Sequence, residues 1–175
     1  MRTLRLQERF PLVIAPFNAV LHLYARSDVE GFLARVRDHL TPGGRFVADL
    51  STPPLEDLVR PSSKPFHAPR FRHPTAGVVV KNREWFDYDR VRQVLFVSME
   101  FEPIRAGAGA GASDSSWSTP LAHRQFFPQE WEALLHYNGF AVERVEGDFH
   151  GGPLTGASDV MVWVARKARA PRGRA

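Results

Sequence analysis

The sequence contains no cysteine in its 175 residues. A disulfide scaffold and a thiolate zinc site are therefore both excluded, although this absence does not settle the redox compartment. No apolar run approaches the ~18 residues of a membrane-spanning helix, and the N-terminus lacks an apolar segment of signal-peptide length. We therefore expect a cytoplasmic protein with no membrane partner.

Acidic residues are missing from the last ten positions, which hold five of the 23 basic residues. The net charge is +4, so the rest of the chain is close to neutral. We expect residues 168–175 to form a disordered basic tail. No zinc-finger, RNP-like or helix-turn-helix pattern accompanies this tail, and we expect no nucleic-acid partner.

The first fifty residues contain one strand–helix–strand unit. An apolar strand is predicted at residues 10–15, an amphipathic helix at 27–40 and a second strand at 45–50, after a Thr-Pro-Gly-Gly turn. Ser27 and Glu30 have the spacing of a capping box at the start of this helix. Such units build parallel sheets, which need several strands and helices on both faces. The first fifty residues therefore resemble the middle of such a fold and not its beginning, and we expect that a preceding segment is missing.

The remainder of the chain predicts an antiparallel region followed by another helix and two strands. Residues 61–75 are expected to be a loop or mobile lid, and the alanine/glycine run at 106–112 a flexible linker. The expected elements are a helix at 55–59, a hairpin of strands 77–86 and 91–100 joined by a turn at 87–90, a strand at 117–125, a helix from Pro128 to Asn138-Gly139, and strands at 140–146 and 158–167.

Several segments occur in an order that is specific for one superfamily. They are FPLVIAPFN (residues 10–18), LHL (21–23), LTPGGRF (40–46), RQFFPQE (124–130), NGF (138–140), GDF (147–149) and PLT (153–155). With this pattern the chain resembles a class I S-adenosylmethionine (SAM)-dependent methyltransferase, from the middle of that family's domain to its C-terminus. It looks most like the subgroup that methylates small amines, including amino-sugar and glycine-type N-methyltransferases.

The resemblance implies an α/β fold, a partial Rossmann-like methyltransferase sheet whose C-terminal strands are parallel apart from an antiparallel last strand. Helices flank this sheet, and an antiparallel β insertion occupies residues 77–103 of a domain spanning 1–167. The cofactor implied is S-adenosyl-L-methionine, lying across the C-terminal ends of the strands.

The family's glycine-rich cofactor loop and its ribose-binding acid are not found in this chain. Gly107, Gly109 and Gly111 do spell Gly-x-Gly-x-Gly, but they lie in a linker and not on the strand-to-helix turn that the motif requires. Residues 1–6 resemble the end of the adenine-binding segment. The resemblance therefore implies an N-terminal truncation of roughly 70 residues at usual element lengths.

The resemblance assigns the cofactor pocket to Met1, Ala15, Pro16, Phe17 and Asn18. For Phe17 the alternative is simple core packing. Asp49, at the end of the second strand, either contacts the substrate or caps the following loop. Arg124 is a second candidate for substrate binding, with structural ion pairing as its alternative.

His22 is the candidate catalytic residue, because it matches a histidine near the reacting centre of the amino-sugar group. Methyl transfer to an amine needs a free lone pair, and a neutral imidazole can accept the departing proton. The alternative is a surface histidine bonded to backbone. His67 and His73 are two histidines without a third ligand, so no metal site is expected.

The expected function is SAM-dependent methyl transfer to a small-molecule nucleophile, with an amine favoured, by an enzyme of which this chain is a fragment. Three explanations of the fragment stay open: a misplaced coding start, a non-catalytic remnant that serves as a binding or oligomerisation module, and two polypeptides that complement each other. A small-molecule substrate and a second copy of the chain, giving a homodimer, are the candidate partners.

Overall fold

The structure, a computed structural model, describes residues 1, 3–104 and 116–168. The chain divides into two compact units, Met1–Pro54 with Arg124–Ala175, and Leu55–His123. The alanine/glycine linker and, apart from Ala168, the expected basic tail lie outside the described residues. Within the described part, no helix combines the length and the apolar composition needed to cross a bilayer.

Within residues 1, 3–104 and 116–168, eight strands and three α-helices follow one another, with a short 3₁₀-helix at Ala19–His22. In order they are β1 (Phe10–Ala15), α1 (Arg26–His39), β2 (Leu40–Ser51), α2 (Leu55–Leu58), β3 (Phe66–Arg72), β4 (Val79–Asp89), β5 (Val94–Ile104), β6 (Trp117–Arg124), α3 (Pro128–Tyr137), β7 (Phe140–Glu146) and β8 (Val160–Lys167).

The first unit contains a four-stranded mixed sheet in the order β1-β2-β8-β7. The predicted parallel pair is confirmed, since Val13 lies opposite Phe46 and Ile14 opposite Val47. The last strand, β8, runs antiparallel to both β2 and β7, as expected. The α/β arrangement predicted for this part of the chain is therefore present.

The core of the first unit forms where the apolar stripe of α1 meets the sheet. Phe46 on β2 packs between Phe32 of α1 and Phe140 of β7, with ring centroids 5.8 Å apart in both pairs. Trp131 of α3 is fully buried, and its ring lies 5.3 Å from that of Phe126. The helical spacing of the apolar residues in α1 thus places its buried face on the sheet.

Two local predictions in this unit are wrong. The helix α1 begins at Arg26 with Ala25 as its N-cap residue, and no side chain caps it. Ser27 therefore lies inside the first turn, where its hydroxyl cannot form a capping box. The Thr-Pro-Gly-Gly segment lies within β2, where pairing shifts from Leu40 to Arg45 and Gly43 has a φ of 76°.

The second unit is an antiparallel sheet in the order β3-β4-β5-β6. A small buried cluster of Leu58, Phe86 and Leu95 packs α2 against it. The sheet extends beyond the expected insertion at 77–103, because β3 precedes it and β6 follows it.

Two predictions in the second unit also need correction. Residues 61–75 are not all loop, since β3 pairs with β4 despite containing Pro69. A register shift between Ala68 and Phe71 accommodates the proline, which has no N–H to donate. The hairpin turn follows Asp89 and not Asp87, because the Asp89 carboxylate accepts the N–H groups of Val91 and Arg92 at 3.0 and 2.9 Å.

Candidate functional site

The carboxyl ends of β1 and β2 lie at the same edge of the first unit's sheet. Ala15, the last residue of β1, pairs with Ala48, and β2 continues for three further residues to Ser51. Loops that follow parallel strands meet at such an edge, where open α/β sheets generally bind their ligands. We call the segment Pro16–Asn18 and its partners on β2 the rim.

The rim contains two consecutive residues in the left-handed region of backbone space. Phe17 has a φ of 56° and Asn18 a φ of 58°, and neither is glycine. For ordinary L-residues this conformation costs roughly 1–2 kcal/mol each. Such strain persists only where surrounding bonds enforce it, and it is concentrated at functional sites.

Asp49 supplies two of these bonds. Its Oδ1 accepts the N–H of Phe17 at 3.0 Å, and its Oδ2 accepts the N–H of Asn18 at 3.2 Å. Both carboxylate oxygens therefore hold the strained backbone. Asp49 thus holds the loop that follows β1, and not the loop after its own strand that was the predicted alternative. Its predicted contact with the substrate stays a prediction.

Asn18 is held a second time by Ser51. The Asn18 Oδ1 accepts the Ser51 N–H at 2.6 Å, and the Asn18 Nδ2 donates to the Ser51 Oγ at 2.8 Å. Sequence reasoning missed Ser51. The signal was its position two residues after Asp49, since residues two apart on a strand share a face.

Phe17 is not a core residue, because it is 91% exposed. The strained turn thus presents an aromatic ring to solvent at the edge where ligands are expected. Its predicted contact with the cofactor stays a prediction. Phe149, in the loop between β7 and β8, is a second exposed aromatic residue at 70%.

The β7–β8 loop lies at the same edge of the sheet as the rim, since β8 begins with Val160 opposite Ser51. Asp148 organises this loop by accepting the N–H groups of Gly152 at 2.9 Å and His150 at 2.7 Å. These bonds, with that of Gly152 the largest cause, lower the pKa of Asp148 from its ordinary value of 3.8.

His22 is the last residue of the 3₁₀-helix that follows the rim. The two residues before it, Val20 and Leu21, are buried in the core and anchor the short helix. The His22 side chain is exposed. It lies four residues after Asn18, on the chain segment that the rim bonds position, and its catalytic role stays a prediction.

Arg124 is engaged by protein atoms. Its Nη1 donates to the carbonyl of Tyr24 at 3.0 Å, its Nη2 lies 2.7 Å from Glu130 Oε1, and its side chain is only 13% exposed. The guanidinium also lies over the ring of Phe126, 4.7 Å from the centroid. These contacts match the structural alternative for Arg124.

The predicted cofactor residues fall into two groups. Met1, Ala15 and Pro16 line one apolar cavity of about 350 Å³ beside β1, together with leucine, isoleucine and phenylalanine side chains. Phe17 and Asn18, the other two residues of the rim segment, do not line it. Among the described residues, no group of three or more histidine, aspartate or glutamate side chains is placed to hold a metal ion.

No protein-family model and no curated protein matches this chain. Solved structures do match it. The CcbJ methyltransferase from Streptomyces caelestis is 19% identical with a TM-score of 0.76, and the match covers 96% of this chain and 61% of that one. A SAM-dependent methyltransferase from Clostridium acetobutylicum is 11% identical, with a TM-score of 0.74 and coverage of 96% and 62%.

The SAM-bound amino pentose methyltransferase CalS10 from Micromonospora echinaspora is 20% identical, with a TM-score of 0.68 and coverage of 95% and 62%. At these identities the matches show the fold. The chain has the α/β fold of SAM-dependent methyltransferases, and it spans about three-fifths of the length of these structures.

Proposed function

We propose that this chain takes part in methyl transfer from S-adenosylmethionine to a small-molecule nucleophile, with an amine nitrogen as the acceptor. The observation that carries the proposal is the strained, exposed turn at the carboxyl ends of β1 and β2, in a chain with a methyltransferase fold. The amine acceptor follows the resemblance of the sequence to the N-methyltransferase subgroup. It also agrees with the amino pentose methyltransferase among the structural neighbours.

The rim residues fit a cationic cofactor. SAM supplies a methyl group on a positively charged sulfur, and the exposed ring of Phe17 is a suitable contact for a ligand cation. Asp49 acts as a positioning residue, since both its oxygens are used to hold the turn. Ala15 contributes backbone groups at the same edge, and Asn18 helps to fix the turn through its bonds to Asp49 and Ser51.

His22 is proposed as the proton acceptor. An ammonium acceptor must lose a proton before its lone pair can attack, and an imidazole ring nitrogen can take that proton at neutral pH. Most of the rate enhancement then comes from alignment of the two reactants, so the rigid rim matters as much as the base.

We further propose that cofactor binding requires a polypeptide segment in addition to this chain. On β1, an edge strand, Leu12 is 52% and Ile14 60% exposed. The apolar cavity lies beside these residues. An exposed apolar edge strand is a ready template for another strand. A segment that covers β1 and carries a glycine-rich loop would account for the two-fifths of the neighbours' length that the match leaves uncovered.

The same edge supports a second candidate function, a non-catalytic binding or oligomerisation module. A second copy of the chain could cover β1 by the same pairing. Sedimentation velocity distinguishes the two candidate functions. A stable homodimer of the chain that persists when a candidate N-terminal segment is added favours the binding or oligomerisation module. Polar substitutions of the exposed β1 residues, Leu12→Lys with Ile14→Lys, should then yield monomers.

Methyl transfer is tested with labelled SAM and a panel of small amines, using the chain alone and the chain extended by in-frame codons upstream of Met1. The proposal predicts activity only for the extended protein. His22→Ala should lower kcat by about 10²-fold or more with little change in KM. His136→Ala, a second exposed histidine of the first unit, is the control and should keep the full rate. Equal rates for the two variants would contradict the role of His22.

A further inference from the structure

The second unit contains a polar cavity that the proposed methyl transfer does not use. Its volume is about 410 Å³, within the range of small-molecule sites. The polar lining consists of His67, Arg70, Lys81, Asn82, Arg83 and Glu102. All of these lie on β3, β4 or β5 of the antiparallel sheet.

Arg70, one of the lining residues, lies in an irregular stretch of β3. Ala68 pairs with Asn82 and Phe71 with Val80, so three steps along β3 match two along β4. In a regular strand Arg70 would share the face of Ala68, two residues earlier. The extra residue instead lets Phe71 return to that face. Bulges of this kind re-aim side chains, and the Arg70 guanidinium lines the cavity together with Lys81 and Arg83.

Glu102 is the carboxylate among the lining residues, while Glu100 and Glu84 contact the lining residues Arg83 and Asn82 without lining the cavity themselves. Arg83 pairs with Glu100 at 2.9 Å and with Glu102 at 3.6 Å, and Lys81 pairs with the same Glu102 at 3.4 Å. Among the residues that the structure describes, Arg70 and His67 form no ion pair. Three cationic side chains and one carboxylate therefore line the cavity.

We infer that this cavity binds a phosphate-type oxyanion carried by a small molecule. The planar guanidinium of Arg70 presents a fork of donors that matches two phosphate oxygens. Lys81 and His67 add donors from two neighbouring strands, so one tetrahedral anion can be bound from several sides. The ion pairs of Arg83 hold its side chain in place. Arg70 has no such ion pair among the described residues, so its guanidinium is available to a ligand.

The competing explanation is a solvated charged face, on which cationic side chains contribute nothing to binding. Arg72 provides the comparison, because it lies on the same strand and carries the same charge but does not line the cavity. Its Nη1 donates to the carbonyl of Gly77. If the face is merely solvated, removal of either arginine should have the same small effect on anion affinity.

The test is calorimetric titration of the whole chain with inorganic pyrophosphate, with phosphate and acetate as comparison anions. We expect saturable pyrophosphate binding that exceeds acetate binding. Arg70→Ala should weaken it about tenfold or more, since a hydrogen bond to a charged group is lost. Arg72→Ala should leave the affinity within about twofold of the unsubstituted chain. Thermal unfolding of each variant checks that it is folded.

Amide spectra of the unsubstituted chain provide a readout that does not depend on any variant. Pyrophosphate should shift the N–H signals of Ala68 and Asn82 before those of the first unit. Absence of saturable binding, equal weakening by the two substitutions, or shifts that avoid the cavity would overturn the inference. Because no SAM is present, each result is independent of whether the chain methylates anything.

Discussion

Asp49 accepts the backbone N–H of Phe17 through a carboxylate 32 residues away along the chain, on the neighbouring parallel strand. The bond holds a residue with a φ of 56° and an almost fully exposed ring. Parallel pairing of β1 and β2 is what brings the two residues together. The bond therefore fixes an aromatic ring at the edge of the sheet where open α/β sheets generally bind ligands.

Substitution of Asp49 should destabilise the first unit. Asp49→Ala removes both acceptors, and we expect a loss of about 2–3 kcal/mol in the free energy of unfolding, because bonds to charged acceptors contribute about 1.5–3 kcal/mol. Asp49→Asn keeps one acceptor and should lose about half as much. Urea denaturation measures both values. Asp87→Asn, at an exposed position, is the control, and an effect as large as that of Asp49→Asn would contradict the account.

Phe17→Gly separates function from stability. Glycine removes the roughly 1–2 kcal/mol of left-handed strain but adds about 0.5–1 kcal/mol of backbone entropy. The exposed ring contributes little burial, so the free energy of unfolding should rise by up to about 1 kcal/mol or stay unchanged. Methyl transfer by the extended protein should nevertheless fall. A clear loss of stability on denaturation would show that the ring packs, contrary to its exposure.

The β7–β8 loop should respond to acid through Asp148. Bonds from the N–H groups of Gly152 and His150 stabilise the carboxylate, so the folded pKa lies below the ordinary value of 3.8. The stabilisation is complete above that value and is lost as the pH falls through the lower folded pKa. NMR titration of the Asp148 carboxyl carbon should find a midpoint below 3.8. The stability difference between the unsubstituted chain and Asp148→Asn should be constant above about pH 5 and shrink in more acidic solution.

Replacement of each of two glycines by alanine should change the free energy of unfolding in opposite directions. Gly139 has a φ of 81°, and an added Cβ would lie 2.7 Å from Arg37 Nη1, so Gly139→Ala should destabilise by about 1–2 kcal/mol. Gly31 lies in α1 with nothing within 4 Å of an added Cβ. Gly31→Ala should therefore stabilise by about 0.5–1 kcal/mol. Thermal unfolding compares the two variants, and a stability change in the same direction for both would refute this description of the two sites.

Most elements of the first unit could be predicted from the sequence, because their signals are local. The stripe of α1 has helical spacing, and Asn138-Gly139 ends α3 with the left-handed glycine that such helix ends favour. The start of α1 could not be predicted from residue types. Ser27 and Ala25 are only two positions apart, and the backbone conformation decides which of them precedes the first turn.

The antiparallel unit was harder to predict for two reasons. β3 contains a proline, a histidine and two arginines, so its local composition is that of a loop, and only pairing with β4 makes it a strand. The segment predicted as the hairpin turn, residues 87–90, contains Asp87 and Asp89, either of which can begin a turn. The register between β4 and β5 pairs both residues within the sheet, so the turn begins after Asp89. Long-range pairing of this kind has no local signal.

The candidate site shows the same limit. The sequence predicted the segment Ala15–Asn18 from its resemblance to a family, and the structure places that segment at the expected edge. The bonds from Asp49 and Ser51 depend on the register between two strands. Residue type alone could not distinguish a carboxylate that meets substrate from one that holds backbone.

The most direct test of the central claim is an amide NMR titration of this chain with S-adenosylmethionine. The account predicts shifts at Ala15, Phe17 and Asn18 with a Kd in the millimolar range, which corresponds to about −4 kcal/mol, because a further segment is needed for tight binding. Micromolar affinity of the chain alone, or shifts that avoid these three amides, would contradict it.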